Sequence, residues 1–435
     1  LFENFCAGVA EQLRAPFLER HGETGVPARI RGTFDWIQNR TPGAILVEVA
    51  PCGDSRCMVQ TCMRDQPFIV DTVRLLVQAY GARVETGFNA VLRVERNEDG
   101  KLLQIGGPES GLESVLQLEV DGLDPADHTA FSERLGNNLR LARAMVRDFS
   151  KMTGVLESLA KQFDALSASE PEHAARHRET AAFLYWLLSD NFVLMGLVSD
   201  EGCFGFQRET LRSIWPAVEK HEFAPGAWSD LPIRVRKSAQ ESPVHRSGRI
   251  DEVSISIPSQ GNQAQTVLIR GMFPFRAVSQ PSRQVPVLRE VLSTILESDL
   301  SLPGSWRYKG MANVFDTLPT EFLFTASLQQ IGQIIDRVLD AEAEQEVRAH
   351  MVQSTEGEVN FVLAAMPKTQ FSDALRSSMQ SLLIQATGAT YVDHGLFVGR
   401  YDTVLTHFFL TGAVKLKKQA IEALHTTLIE MGTPW

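Results

Sequence analysis

At 435 residues with 44% apolar side chains, the chain is long enough for two to four domains with cores of ordinary size. A net charge of -11 and a pI near 5.5 give no general attraction to phosphate backbones or anionic lipid, which excludes nucleic acid and membrane surfaces as main partners. No apolar run approaches the roughly 18 residues a membrane span needs, and no basic stretch precedes an apolar one at the N-terminus, so the expected location is the cytoplasm.

Five cysteines, Cys6, Cys52, Cys57, Cys62 and Cys203, are an odd number in a long chain and imply reduced thiols rather than a disulfide framework. Cys52, Cys57 and Cys62 recur at a five-residue step. No CxxC pair or nearby histidine joins them, so half-buried thiols are the expectation rather than a metal site.

In chain order, Phe2 to Arg20 and Pro27 to Asn39 predict two helices separated by HGETG. CMVQTC is a β-prone run, and RDQP is a turn with Pro67 suited to a first helical turn. FIVDTVRLLVQAYGA then places Phe68, Val73, Leu75, Leu76 and Tyr80 near helical spacing, with Gly81 as its C-cap. RVETGFNAVLRVER resumes a strand, NEDGK signals a hairpin, SVLQLEV is another strand, and DPAD at Asp124 opens a helix. The resulting β-α-β-β-α order is that of ferredoxin-like regulatory domains, without a visible last strand.

The turn into DQPFIVDTV is a candidate ligand site. A helix start offers unpaired N–H groups and partial positive charge, able to hold a carboxylate. Arg64, Asp65 and Gln66, with Pro67, could then contact the charged groups of a small amino acid. The alternative is that Asp65 caps the helix and Arg64 is solvated.

From Asp127 to about Leu166 a long helical tract suggests packing between domains, as a surface helix rather than a coiled coil. SASEPEHAARH reads as a linker. ETAAFLYWLLSDN is a helix, and FVLMGLVSD, GCFGFQ, PIRVRKS, RIDEVSISI and QTVLIRGMFPF are strand-like runs, compatible with a PAS-type domain. Within them Arg234, Arg236, Lys237, His245, Arg246 and Arg249 crowd VRKSAQESPVHRSGR, with Glu241 the only acid. An anion site using His245 and Arg246 is one reading; a solvated basic loop or a contact with an acidic partner domain is the other.

The β-α-β-β-α order is then expected twice more. One copy runs from QTVLIRGMFPF through VPVLREVLSTILES, with MANVFDTL and EFLF as strands, to SLQQIGQIIDRVLD. The other runs from EVNFVLAAM to KLKKQAIEALHTTLIE, with Gly388 as a helix cap and VRAHMVQ as an extra strand. His394 and His407 could approach across a hairpin, with cross-strand packing preferred to metal binding. The predicted fold is therefore α+β, with several ferredoxin-like modules, which the family resemblance given next makes ACT-like, and one PAS-like sheet. Its expected divisions are helices over 1–40, modules over 41–166, 263–342 and 343–435, and the PAS-like domain over 172–262. We also read the start at Leu1 and the stop at Trp435, just after a helix, as those of a piece of a longer protein.

DQPFIVDTV, NAVLRVERNEDG, ESVLQLEVD, ETAAFLYWLLSDNFVLMG, SPVHR, IRGMF and VPVLREV follow one another as in the N-terminal region of the large NAD-dependent glutamate dehydrogenases, which this chain resembles from about Arg64 to Val291. Leu197 and Ser247 depart from the pattern, standing where an aromatic and a proline are expected. The resemblance implies ACT-like and PAS-like domains ahead of a dehydrogenase that oxidatively deaminates glutamate to 2-oxoglutarate with NAD. No GxGxxG joins a strand to a helix here, and GGPESG and GCFG lack that spacing, so NAD is expected in the parent enzyme and not in this segment. The expected role is regulatory and non-catalytic: binding an amino-acid effector, coupling by about 1–3 kcal/mol to the C-terminal dehydrogenase part, and assembling a homo-oligomer. Arg64, Asp65, Gln66 and Pro67 are the first candidate residues, His245 and Arg246 the second. A purely structural oligomerisation scaffold is the alternative.

Overall fold

The computed structural model describes residues 1–53, 55–107, 111–216, 231–257, 265–353 and 359–433. Contacts group the chain into two compact units. The first comprises Leu1–Phe149, Phe204–Ala217 and Ser242–Ser247; the second comprises Ser150–Cys203, Val218–Glu241 and Gly248–Trp435.

The first unit opens with helices α1 (Phe2–Ala10) and α2 (Ala15–Trp36), the latter broken at Gly22. Strands β1 (Leu46–Pro51) and β2 (Arg56–Arg64), helix α3 (Ile69–Ala79), and strands β3 (Arg83–Arg96), β4 (Leu102–Ile105) and β5 (Gly111–Asp121) follow. Helix α4 (His128–Ser169) gives its first residues to this unit. The strands form an antiparallel sheet in the order β1-β2-β5-β3-β4. The fourth position that the β-α-β-β-α pattern leaves open is thus filled from upstream, by β1. The short strand β4, which the sequence reading passed over, extends the NEDGK hairpin.

Both faces of this sheet are covered. Ile69, Val73, Leu76 and Val77 of α3 and Phe131, Leu135 and Leu139 of α4 pack on Val59, Leu116, Leu118 and Val120. Each such side chain contributes about 1.5–3 kcal/mol by leaving water. The opposite face meets Phe5, Phe17, Ile30 and Phe34 of α1 and α2. Cys57 opens onto the first face and Cys62 onto the second, because an odd step along a strand reverses side-chain direction. Burial pushes their thiols up to about 11 and about 12, Glu113 adding to the shift at Cys62. Among the described residues no His, Cys, Asp and Glu group could hold a metal ion.

The second unit contains α5 (Ala174–Trp186), then β6 (Val193–Ser199), β7 (Gly202–Gly205, its last two residues in the first unit), β8 (Ile233–Glu241), β9 (Arg249–Ile257) and β10 (Gln265–Met272). Their antiparallel order is β7-β6-β10-β9-β8. Strand β10 therefore lies in the middle of this sheet and does not open a new repeat; the expected boundary at 262/263 lies outside the described residues.

Four helices follow a short turn of helix, α6 (Phe275–Val278): α7 (Leu288–Ser298), α8 (Trp306–Thr317), α9 (Thr320–Thr325) and α10 (Leu328–Glu344). MANVFDTL and EFLF, expected as strands, are the helices α8 and α9. Ser305 caps α8 by accepting from the Tyr308 N–H, and Met311, Val314 and Phe315 bury one face of it. A short apolar run has no period of its own, and here capping and packing decide. The second expected β-α-β-β-α copy is thus a helical segment.

The C-terminal pattern does form. Strands β11 (Arg348–Val352) and β12 (Val359–Pro367), helix α11 (Asp373–Thr387), strands β13 (Tyr391–Val398) and β14 (Thr403–Thr411), and helix α12 (Lys418–Gly432) build a sheet ordered β11-β12-β14-β13. This repeats β1-β2-β5-β3 position for position, with VRAHMVQ supplying the upstream edge strand. Gly388 ends α11 at φ +65°, where a side chain would be strained. No described helix is long and apolar enough to cross a membrane.

Candidate functional site

Strand β2 ends at Arg64, which is exposed, and the Asp65 N–H stays in the ladder by donating to the Leu112 carbonyl at 2.9 Å. Pro67 precedes the helix cap instead of occupying the first turn. The chain reverses at the next residue, Phe68, held at φ +73°, ψ 8°. A left-handed phenylalanine is uncommon and costs on the order of 1–3 kcal/mol. The Phe68 carbonyl accepts from the Thr72 hydroxyl at 2.5 Å and its N–H at 3.2 Å, which anchors the start of α3.

No side chain caps α3. The expected cap, Asp65, instead takes the backbone N–H of Gln66, and burial pushes its carboxyl above the usual range. The first N–H groups of α3 therefore present the partial positive charge of an uncapped helix.

The two candidate stretches meet here. His245, itself at φ +68°, sets its ring edge-on to Phe68 with centroids 5.3 Å apart. Ser242 shapes the approach by donating to the Val244 carbonyl at 2.6 Å. Burial, and then the Arg246 guanidinium, lower the His245 pKa, while the Asp71 carboxylate works the other way. Arg246 donates to the Ser247 carbonyl at 3.3 Å. Gln66 Nε2 and His245 Nδ1 are buried with no hydrogen-bond partner. An unsatisfied buried polar atom costs about 1–3 kcal/mol.

The basic stretch as a whole does not act together, nor is it a solvated loop. In the second unit Arg236 pairs with Glu252 at 2.5 Å, and Lys237 with Asp251 at 2.8 Å and Glu321 at 3.3 Å. Arg249 lies over the Tyr391 ring at 4.4 Å. His394 and His407 leave opposite faces of their hairpin, since His394 faces Phe408 and His407 faces Gly395 in the register. The glycine group at Gly106 runs into residues 108–110, which lie outside the described residues.

Sequence reasoning missed the special role of Phe68, because nothing but glycine or asparagine announces a positive φ. It also missed the buried ionic face of β5. There Glu113 is held by Arg96 at 2.9 Å and Arg40 at 2.5 Å, and Gln117 accepts from Thr33 at 2.7 Å. The alternation in ESVLQLEV looks like a solvated polar face. The two helices predicted upstream were the sign that this face is covered.

These features define a class: an α+β chain with antiparallel sheets, the first inside an ACT domain. The family model described as glutamate dehydrogenase, ACT1 domain, matches residues 15–135, and that of glutamate dehydrogenase, helical motif 1, matches 285–344, which spans α7 to α10. The NAD-specific glutamate dehydrogenase of Halomonas elongata is 26% identical over 397 residues, covering 85% of this chain and 25% of the relative. That of Pseudomonas aeruginosa is 23% identical over 376 residues, covering 81% and 23%. That of Mycobacterium tuberculosis is 24% identical over 364 residues, covering 79% and 21%. The chain spans about a quarter of the length of these curated relatives. These matches make it similar to the N-terminal region of the large NAD-dependent glutamate dehydrogenases.

Proposed function

We propose that this chain is the non-catalytic regulatory and assembly region of an NAD-dependent glutamate dehydrogenase, acting in the cytoplasm and binding a small amino acid at the start of α3. NAD binding and the oxidative deamination of glutamate to 2-oxoglutarate belong to the C-terminal dehydrogenase part of the parent protein. The repeated strand order supports ferredoxin-like modules at both ends of the chain, and β7-β6-β10-β9-β8 supports a PAS-like one between them.

The observation that carries the reading is the pair of unsatisfied buried atoms, Gln66 Nε2 and His245 Nδ1, beside an uncapped helix start. A ligand carboxylate satisfies Gln66 and the α3 N–H groups, while Arg64 and Arg246 add charge and Asp71 suits an ammonium. Gln66→Met keeps the size and removes the orphan amide. The empty chain is then expected to unfold at the same midpoint or up to about 1 kcal/mol later, whereas thermal stabilisation by the bound amino acid is lost. Failure of every common amino acid, at millimolar excess, to raise the wild-type melting temperature would end the reading.

Assembly is supported by β13, an open edge strand with Leu396 51%, Phe397 42% and Val398 52% exposed. Unpaired apolar edges recruit another strand. Phe397→Lys is expected to shift light-scattering mass toward the monomer; an unchanged mass distribution would place the contact elsewhere.

A further inference from the structure

Glu119, in the middle of β5, is 1% exposed at its side chain and is approached by four basic side chains. Arg20 Nε lies 3.2 Å from one oxygen, with Arg56 Nη1 at 3.9 Å; His21 Nε2 lies 2.9 Å and Arg29 Nη2 3.1 Å from the other. On an unbroken helix Arg20 and Arg29 would point about 180° apart. The break in α2 at Gly22 (φ 61°, ψ -173°) brings both onto the same carboxylate.

One carboxylate does not satisfy these donors. Arg20 has a second acceptor in Glu85 at 3.2 Å, which Arg83 also holds at 2.7 Å, and Arg83 leans on Asp121 at 3.7 Å. Arg29 spends its other arm on the Met58 thioether at 3.5 Å, a weak acceptor. Among the described residues, the carboxylate nearest Arg56 is Glu119 itself. The side chains of Arg20, Arg29 and Arg56 are 30%, 24% and 36% exposed, and they surround Glu119 by charge, since neither of its oxygens accepts a hydrogen bond with good geometry.

We propose that Arg20, Arg29 and Arg56, gathered over Glu119, form a binding site for a small dianion of the phosphate or dicarboxylate type. Guanidiniums pair with such oxygens two at a time, and Glu119 presets their positions, so little side-chain freedom remains to be lost on binding. The site stands at the other end of β2 from α3, about 20 Å along the strand at 3.3 Å per residue, and is independent of the amino-acid site.

Calorimetric titration of the whole chain with inorganic phosphate and, separately, with succinate tests this, against sodium chloride at matched ionic strength. Saturable binding of either dianion, weakened at least about tenfold in Arg29→Gln and in Arg56→Gln but unchanged in Gln66→Met, is the expected result. Whichever dianion binds more tightly names the ligand class. Arg56 is the least enclosed of the cluster, so its variant keeps the fold. No saturable heat beyond that of chloride, or equal binding in both arginine variants, overturns the proposal.

Discussion

Glu119→Gln is expected to destabilise the first unit by about 3 kcal/mol, among the largest losses from any single substitution in it. The amide keeps the shape of the side chain and deletes the charge that Arg20, Arg29 and Arg56 share, leaving three guanidiniums crowded over a buried neutral group. Their partial exposure keeps the figure at the low end of buried ion-pair losses. The measurement is urea unfolding, with hydrogen exchange along β5 to assign the change to this sheet. A midpoint within experimental scatter of wild type would mean that the cluster contributes no net stability. Saturating phosphate is expected to recover part of the loss, because the dianion replaces the deleted charge.

Acidification is expected to weaken the C-terminal sheet between pH 6.5 and 4. His407 lies among Phe361, Phe409 and Gly395, and burial pushes its pKa down to about 4, with His394 adding to the shift and Glu321 opposing it. The folded chain thus binds fewer protons here than the unfolded one. Stability is complete above the unfolded value near 6.5 and declines as pH falls toward 4, by up to about 3 kcal/mol for this group. His350, also pushed down to about 4 by burial, His425 and Arg337, adds a second contribution in the same direction. His425 is likewise lowered by burial, so His407→Leu is expected to remove only part of the pH slope, read from denaturant midpoints at pH 7 and 4.5; an unaltered slope would assign the effect to His350 and His425. Gly395 belongs to the same arrangement, since a Cβ there would stand 2.4 Å from the imidazole.

Much of the fold was legible because its signals are local. The apolar spacing of α3 and α11, the turn NEDGK and the glycines at 81 and 388 announced their elements, and the runs that became β6, β9 and β10 are rich in Val, Ile and Leu. What could not be read was non-local. MANVFDTL and EFLF suit either period, and the Ser305 cap with burial of Met311 and Phe315 made the first of them helical. Strand β10 carries nothing that ties it to β6 and β9 rather than to the helices after it. At the candidate site, the residue types in DQPF and VHR were visible as chemistry, yet their meeting depends on positive φ at Phe68 and His245, which neither side chain signals.

The first sheet has both faces packed, under α1, α2, α3 and α4; the last has α11 and α12 on one side and Phe322 of α9 against Phe361 on the other, with its edge strand β13 left largely exposed. Molecules built in this way meet their neighbours at the rim, through main-chain amides and carbonyls that every residue possesses. If the assembly proposed for β13 holds, recognition of that kind would be indifferent to most substitutions, and a lineage could rewrite its sequence extensively without losing it.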